Sequence, residues 1–517
     1  MNNSFKEAHY GSYIGRVARG AGIGSFGIGI GRVLLFATQV ALARMYGPTQ
    51  LGFYVLGSTL AQIAKILGQF GLDNGLVRYV ARYQAERDIS RVRGTILLAL
   101  GVGLGLSLIL SGLMFFGAGF LTELLAGETS NRLSVEAVFR VFSLSIPLLT
   151  VMSVALWATQ GFQTVKYATY VEHIALPLIN LALVLFFYFL TAELIGAVTA
   201  YAISAAVCLI LALFYLRQIF PELLDWEIKP RFETRALLSS SGPMLLASYA
   251  PVVNSWSVIA VLGVFASAKE VGIFNAASRT AVISSLVLVA FGNIFAPIAS
   301  NLYTRGLLED LGHLYKDVSR WVFTASLAIF LCTVLLARDV MVVFGDEFIS
   351  SWPALVVLTG AELYNNSVGP EDRLLAMIGQ HRVVVMATVG GAVAAFGGSM
   401  ILIPLYGIWG ATAATAGGIV LAQTTMIVVL WRAVNYWPYD RQFVKPLVSG
   451  LLAASLTFLA KSILPLPANG LLQLIIFGPC LLTCYGTALL VLGLSPSDKQ
   501  LLKVLWRAVW PSKRGSG

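Results

Sequence analysis

A chain of 517 residues is long enough for several soluble domains, yet only 12% of its residues are charged, 57% are hydrophobic and the mean hydropathy is +0.81. Soluble domains carry about 25% charged residues, so a soluble enzyme, a disordered chain and a secreted disulfide scaffold are all excluded. The net charge of +10 needs no nucleic-acid partner, because basic residues facing an anionic membrane leaflet account for it.

The first apolar run begins near Ala21, is long enough to span a bilayer and is followed by no A-x-A cleavage site, so it is expected to stay in the mature chain. About 20 apolar residues are needed per crossing. Division at the charged, proline-rich and polar breaks then predicts fourteen helices: 22–46, 51–72, 94–118, 136–159, 169–190, 194–216, 237–264, 271–297, 321–337, 352–370, 382–403, 407–431, 444–464 and 471–493. Runs such as ILLALGVGLGLSLILSGLMFFGAG lack the alternation of a barrel strand, so the fold class is all-α and polytopic. With the N-terminus inside, 26 of the 35 lysines and arginines fall at cytoplasmic ends and 6 at outer ends. This asymmetry predicts both termini in the cytoplasm of a multi-pass inner-membrane protein. Trp352 and Trp409 then open helices at the outer interface, and Trp321, Trp431 and Trp437 lie at the inner one.

The chain repeats itself. ALARMYGPTQLGFYVLGSTLAQI (41–63) is echoed by IAVLGVFASAKEVGIFNAASRTAVI (259–283), which pairs Gly52 with Gly272. Phe70-Gly71 pairs with Phe291-Gly292, Gly161 with Gly379, and Gly196 with Gly410. Each unit holds six helices, an even number, so the two share one orientation and are related by an axis along the membrane normal. The expected organisation is an N-terminal lobe over 1–220, a C-terminal lobe over 235–435, two extra helices over 440–495 and a basic cytoplasmic tail over 496–517.

Six plus six plus two helices, the start ARMYGPTQLGFY and the late IPLYGIWGATAATA together resemble the multidrug/oligosaccharidyl-lipid/polysaccharide exporter superfamily, and within it the polysaccharide transporters, the O-antigen-type flippases. The resemblance covers essentially the whole chain. It implies a V-shaped pair of six-helix lobes that move an isoprenoid-diphosphate-linked oligosaccharide from the inner to the outer leaflet by alternating access. It further implies that the extra two helices form a groove for the lipid tail. Membrane lipids are expected partners, and polymerases and glycosyltransferases are candidate ones.

Charges inside the spans point to the site. A charged side chain at mid-bilayer costs roughly 2.5–3.5 kcal/mol, so it should face a cavity or a partner. Arg32 in the first helix and Lys65 in the second both lie roughly 20 Å below the outer surface at 1.5 Å per residue. Arg279 in the eighth lies seven residues beyond Gly272, on the opposite lobe. The three could present cations from both walls of one cleft, and similar cations in helices 1, 2 and 8 of the peptidoglycan-precursor flippase branch imply a substrate-phosphate role for them. A structural reading competes with this one: Lys65 could snorkel, and each cation could pair with one of the few acids in the spans, Asp73, Glu172 or Glu362. Glu362, with the amides of Asn365 and Asn366 within one turn, could bind H⁺ or Na⁺ and couple transport to an ion gradient. A structural pair with Arg279 would look the same in sequence.

Other motifs carry less. Gly22, Gly24 and Gly27 spell G-x-G-x-x-G, but no strand precedes them, and they are expected to serve packing or hinge motion. Segment 76–93, with Arg78, Arg82, Arg87, Arg91 and Arg93, is expected to lie on the membrane surface. Cys480 and Cys484 are half a metal site at best, and His9, His173, His313 and His381 form no cluster. No metal, no cofactor and no active site are expected. Two further functions remain open: a multidrug cation exporter of the same superfamily, which would want acids in its cleft, and a membrane glycosyltransferase or polymerase, which would need a catalytic loop.

Overall fold

The computed structural model describes residues 3–126, 132–234, 256–463, 470–493, 495 and 497–499, with side chains from residue 27 onward and without those of Asn74 and Ala126. All regular structure among these residues is helical. In chain order the main helices are α1 (Asn3–Gln69), α2 (Leu72–Ala85), α3 (Ile89–Phe116), α4 (Arg132–Gly161), α5 (Lys166–Thr191), α6 (Leu194–Ile219), α7 (Trp256–Phe265) and α8 (Ala268–Thr304). They continue with α9 (Leu308–Leu335), α10 (Trp352–Val368), α11 (Glu371–Met377), α12 (His381–Tyr406), α13 (Ile408–Val434), α14 (Arg441–Ile463) and α15 (Gly470–Val491).

Eleven described helices are long and apolar enough to cross a membrane, and with three qualifications they match the fourteen predicted segments. α1 holds the first two spans, joined at Gly47 and Pro48. The backbone of Gly47 turns through φ 74° and ψ 177°, a conformation that a Cβ would resist, and proline cannot donate the helical hydrogen bond that would straighten it. α10 supplies the tenth span in 17 residues, and α7 is the described end of the seventh. Residues 235–255, on which most of the seventh segment falls, lie outside the described residues, as does most of the tail over 496–517. The glycines of the G-x-G-x-x-G motif fall inside α1.

Packing divides the chain into two compact units whose borders differ from those of the repeat. The first comprises 1–280, 344–354 and 388–418, and the second comprises 281–343, 355–387 and 419–517.

In the first unit α4 is the central span, buried along most of its length. Lipid tails are as apolar as leucine, so such helices associate through close van der Waals packing and hydrogen bonds. Phe142 of α4 packs on Gly57, and its ring meets Tyr54 and Tyr201 edge-on or tilted at centroid distances of 5.2 and 5.5 Å. The hydroxyls buried in α4 cost little, because they bond back to carbonyls of their own helix: Ser145 to Phe142, Thr150 to Ile146 and Thr159 to Leu156, at 2.6 to 2.8 Å. The connection after α6 is also fastened to this unit. Arg93, 7% exposed, donates to the carbonyls of Leu223 (3.0 Å) and Ile228. Glu233 receives the Tyr83 hydroxyl at 2.5 Å and pairs with Arg91 at 3.1 Å. In the arginine-rich segment 76–93, Arg78, Arg82 and Arg87 are exposed and Arg93 is buried. The segment is broken at Arg87, whose φ is 56°, and Arg93 points inward because unpaired linker carbonyls need its donors.

In the second unit α9 carries a core of Tyr315, Val318 and Val322 against Phe295, Val368, Leu374 and Leu430. The Tyr315 and Ser319 hydroxyls donate to the Val368 carbonyl at 2.8 and 3.2 Å, which satisfies the last turn of α10. α14 and α15 pack on α9 through Phe323, Leu327, Phe443, Ala453 and Tyr485. A clasp follows α15. Buried Arg320 pairs with Asp317 at 2.7 Å and Asp498 at 2.9 Å, and Trp321 donates its indole N–H to Asp498 at 2.8 Å.

Candidate functional site

The three cations of the spans all lie in the first unit, and local packing explains their placement. α5 does not begin as a regular helix. Thr169–Ala175 forms a π-helical turn, a rare geometry that is frequent at functional sites. α1 lies directly on it: a Cβ on Gly31 would overlap the His173 carbonyl, and one on Gly27 would strike Thr169. Glycines therefore let two backbones approach where a side chain would hold them apart. Arg32 follows the glycine that touches the turn and is half-buried. Lys65, on the second arm of α1, pairs with Glu172 of the same turn at 3.5 Å.

Arg279 is reached through a polar relay. Its Nε donates to Asn275 Oδ1 at 3.4 Å, and Asn275, 1% exposed, donates its Nδ2 to Gln39 Oε1 at 3.0 Å. Arg32 lies two turns before Gln39 on the same face of α1. Arg279 lies one turn beyond Asn275 on α8, and both displacements run away from Gly47. At 1.5 Å per residue they differ by about 4.5 Å, so the two arginines share nearly one level. The Arg279 side chain is exposed. The structure thus brings Arg32 and Lys65 to one π turn and ties Arg279 to the same arm of α1.

The residues expected to hold an ion are only partly together. In the second unit, Asn365 donates to Glu362 Oε2 at 3.2 Å, and Gln423 of α13 donates to Asn365 Oδ1 at 2.7 Å. Gln423 Oε1 is buried without a partner among the described residues. Asn366 does not join this cluster. Its amide serves the Ser284 carbonyl (3.1 Å) and the Ser326 hydroxyl (2.9 Å), where α8 passes through the 3₁₀ turn Val282–Ser284.

Four residues escaped the sequence reading. Gln39, Asn275 and Gln423 are neutral amides in apolar helices, and their spacing was the available signal: Gln39 seven residues after Arg32, Asn275 four before Arg279. The fourth, Glu371, lies between α10 and α12, is 2% exposed, and its Oε2 has no hydrogen-bond partner among the described residues. Burial holds its carboxyl well above the usual range, and neighbouring Asp372 adds to this. A separate cavity of about 460 Å³, lined by Gln50, Phe53, Val135 and Glu193 among others, includes none of the cations.

Residues 17–302 match the family model described as polysaccharide biosynthesis protein. An uncharacterized membrane protein of Methanocaldococcus jannaschii is 20% identical over 462 residues, 86% of this chain and 89% of its own. The probable low-salt glycan biosynthesis flippase Agl15 of Haloferax volcanii is 25% identical over 190 residues, 36% of this chain and 40% of its own. Among solved structures, the lipid II flippase MurJ in an inward closed conformation superposes with a TM-score of 0.74 at 13% identity, covering 94% of this chain and 99% of that one. At that identity the likeness is one of fold.

Proposed function

Because the chain belongs to the polysaccharide biosynthesis protein family, we propose that it is a flippase. It moves an isoprenoid-diphosphate-linked oligosaccharide from the cytoplasmic to the outer leaflet by alternating access, for cell-surface polysaccharide synthesis. What supports this reading is that Lys65 and the Gly31–Arg32 step of α1 meet the π turn of α5, while Arg279 is tied through Asn275 to Gln39 of the arm that bears Arg32. A diphosphate carries about two negative charges, and each unpaired charge in a low-dielectric region is penalised by several kcal/mol. Guanidinium and ammonium groups replace its water with charge-assisted hydrogen bonds, and guanidinium matches phosphate oxygens in pairs. A multidrug exporter for organic cations is disfavoured by the same balance, since Lys65 pairs with the single acid Glu172 and Arg279 bonds a neutral amide, Asn275. Glu362, Asn365 and Gln423 supply oxygen ligands for a coupling H⁺ or Na⁺. The protein works in the cytoplasmic membrane with both termini inside, alongside the polymerases and glycosyltransferases that make and use its cargo.

The test is replacement of the cations. Arg32→Ala and Arg279→Ala should each abolish glycan export while the protein still reaches the membrane, and Arg→Lys at either position should restore little. Lys65→Arg should be tolerated better than Lys65→Ala. Mass spectrometry of the depleted cell should find the isoprenoid-linked saccharide accumulating on the cytoplasmic leaflet. Intact export with alanine at all three positions would end the anionic-cargo reading.

A further inference from the structure

Glu172 is the acid placed against Lys65, and three features of its setting are unusual together. It stands in the π-helical turn Thr169–Ala175, whose widened register presents its carboxylate to Lys65. The pair is not sealed, since the Lys65 side chain is 12% exposed and that of Glu172 is 32% exposed. Its N–O distance of 3.5 Å is longer than the 2.7–2.9 Å of a charge-assisted hydrogen bond to an anion. A purely structural pair inside a membrane protein would be expected to be short and closed, because an open one gains little from its Coulomb attraction. The same turn bears the weight of α1 through Gly27 and Gly31, the latter adjacent to Arg32.

From this geometry we infer that Glu172 is the resting counterion of the cation site, displaced from Lys65 when the phosphate of the cargo arrives. The inference rests on the flippase reading above and adds the acid that regulates it. A phosphate oxygen can approach the ammonium more closely than Glu172 does, and it brings more charge. The carboxylate, one-third exposed, can turn toward water without becoming a buried unpaired charge. The internal competitor keeps the empty site neutralised and weakens cargo binding by the cost of its own displacement. A carrier needs that weakening, because cargo held too tightly is not released. The motion of the turn is passed to α1 where Gly31 touches His173, so loading of Lys65 is felt beside Arg32.

The test measures binding of farnesyl diphosphate to the full-length protein in phosphatidylcholine nanodiscs. Glu172→Gln keeps the shape of the side chain and removes its charge. It should bind the probe roughly fivefold more tightly than wild type, the ratio a weak exposed ion pair supports, and should export glycan more slowly. In a Lys65→Gln background the same substitution should change affinity by less than about twofold, because its effect runs through Lys65. If Glu172→Gln does not reach the membrane, Glu172→Asp draws the carboxylate back by one methylene and should tighten binding in the same direction. Wild-type binding with unchanged or weaker affinity in both variants would overturn the counterion role and leave the flippase reading standing. Equal tightening toward phosphatidylglycerol used in place of the probe would assign the displacing phosphate to the bilayer and also overturn it. Absence of binding by wild type and every variant would remove the anionic-cargo reading itself.

Discussion

Gly52 and Gly272, equivalent positions of the two repeats, touch each other. A Cβ on Gly272 would fall 3.1 Å from the Gly52 nitrogen and 3.0 Å from the Pro48 carbonyl carbon, and one on Gly52 would overlap the Ala268 carbonyl. The contact lies beside the kink of α1 at Gly47. Phe36 against Phe344, with centroids 5.5 Å apart, and Lys269 against Glu347 at 3.3 Å join the repeats within the same unit. Valine at either glycine adds volume where backbone faces backbone, at a cost of about 1–3 kcal/mol or more. Gly52→Val and Gly272→Val should each reach the membrane but lower the melting temperature in detergent, and export should fall to background.

Opposite faces of the membrane should be reported by Lys269→Cys and Arg87→Cys. Both side chains are exposed, and the proposed topology has the first outside and the second in the cytoplasm. A membrane-impermeant maleimide added to intact cells should label only position 269. Labelling of both would overturn the proposed topology.

Glu362 and Gln423 share Asn365 as an intermediary, so both should influence any ion held there. Glu362→Gln should preserve expression while making transport insensitive to the ion gradient. Gln423→Leu leaves Asn365 Oδ1 without its donor and should raise the ion concentration needed for half-maximal transport severalfold, the scale of losing one hydrogen bond at about 1 kcal/mol. Gradient dependence that survives Glu362→Gln would remove this cluster from the mechanism.

Stability should also depend on pH through Glu371. Burial raises its pKa in the folded protein above that of the unfolded chain, so over that interval the folded state binds more protons and stability falls as pH rises. The melting temperature in detergent should decline from pH 5 toward pH 8 in wild type. Glu371→Gln should flatten that decline and raise the value at pH 8.

How far the molecule could be read from its sequence follows from what each signal measures. The spans were legible because a bilayer demands long apolar runs, and Arg32, Lys65 and Arg279 stood out because few charges enter them. Partner choice was not legible. Lys65 meets Glu172 because a π turn shifts the register of α5, and nothing in TYVEHIA announces such a turn. Asn366 sits one turn from Glu362 yet serves the broken backbone near Ser284, a choice that depends on where α8 bends. The break between the first two segments was legible too: Gly47 leaves the helical conformation and Pro48 follows it, so two helices meet there. The repeat borders and the packing borders differ for a general reason: a repeat belongs to the chain, whereas a packing unit belongs to one conformation.

The fastening of the connection after α6 has a mechanical consequence. With Leu223, Ile228 and Glu233 held by Arg93, Arg91 and Tyr83, and the Arg231 amide donating to the Ser90 carbonyl at 3.0 Å, residues 221–234 supply no slack. The connection is therefore one piece with the corner between α2 and α3, and loss of the Arg93 guanidinium would leave two of its carbonyls without their donor.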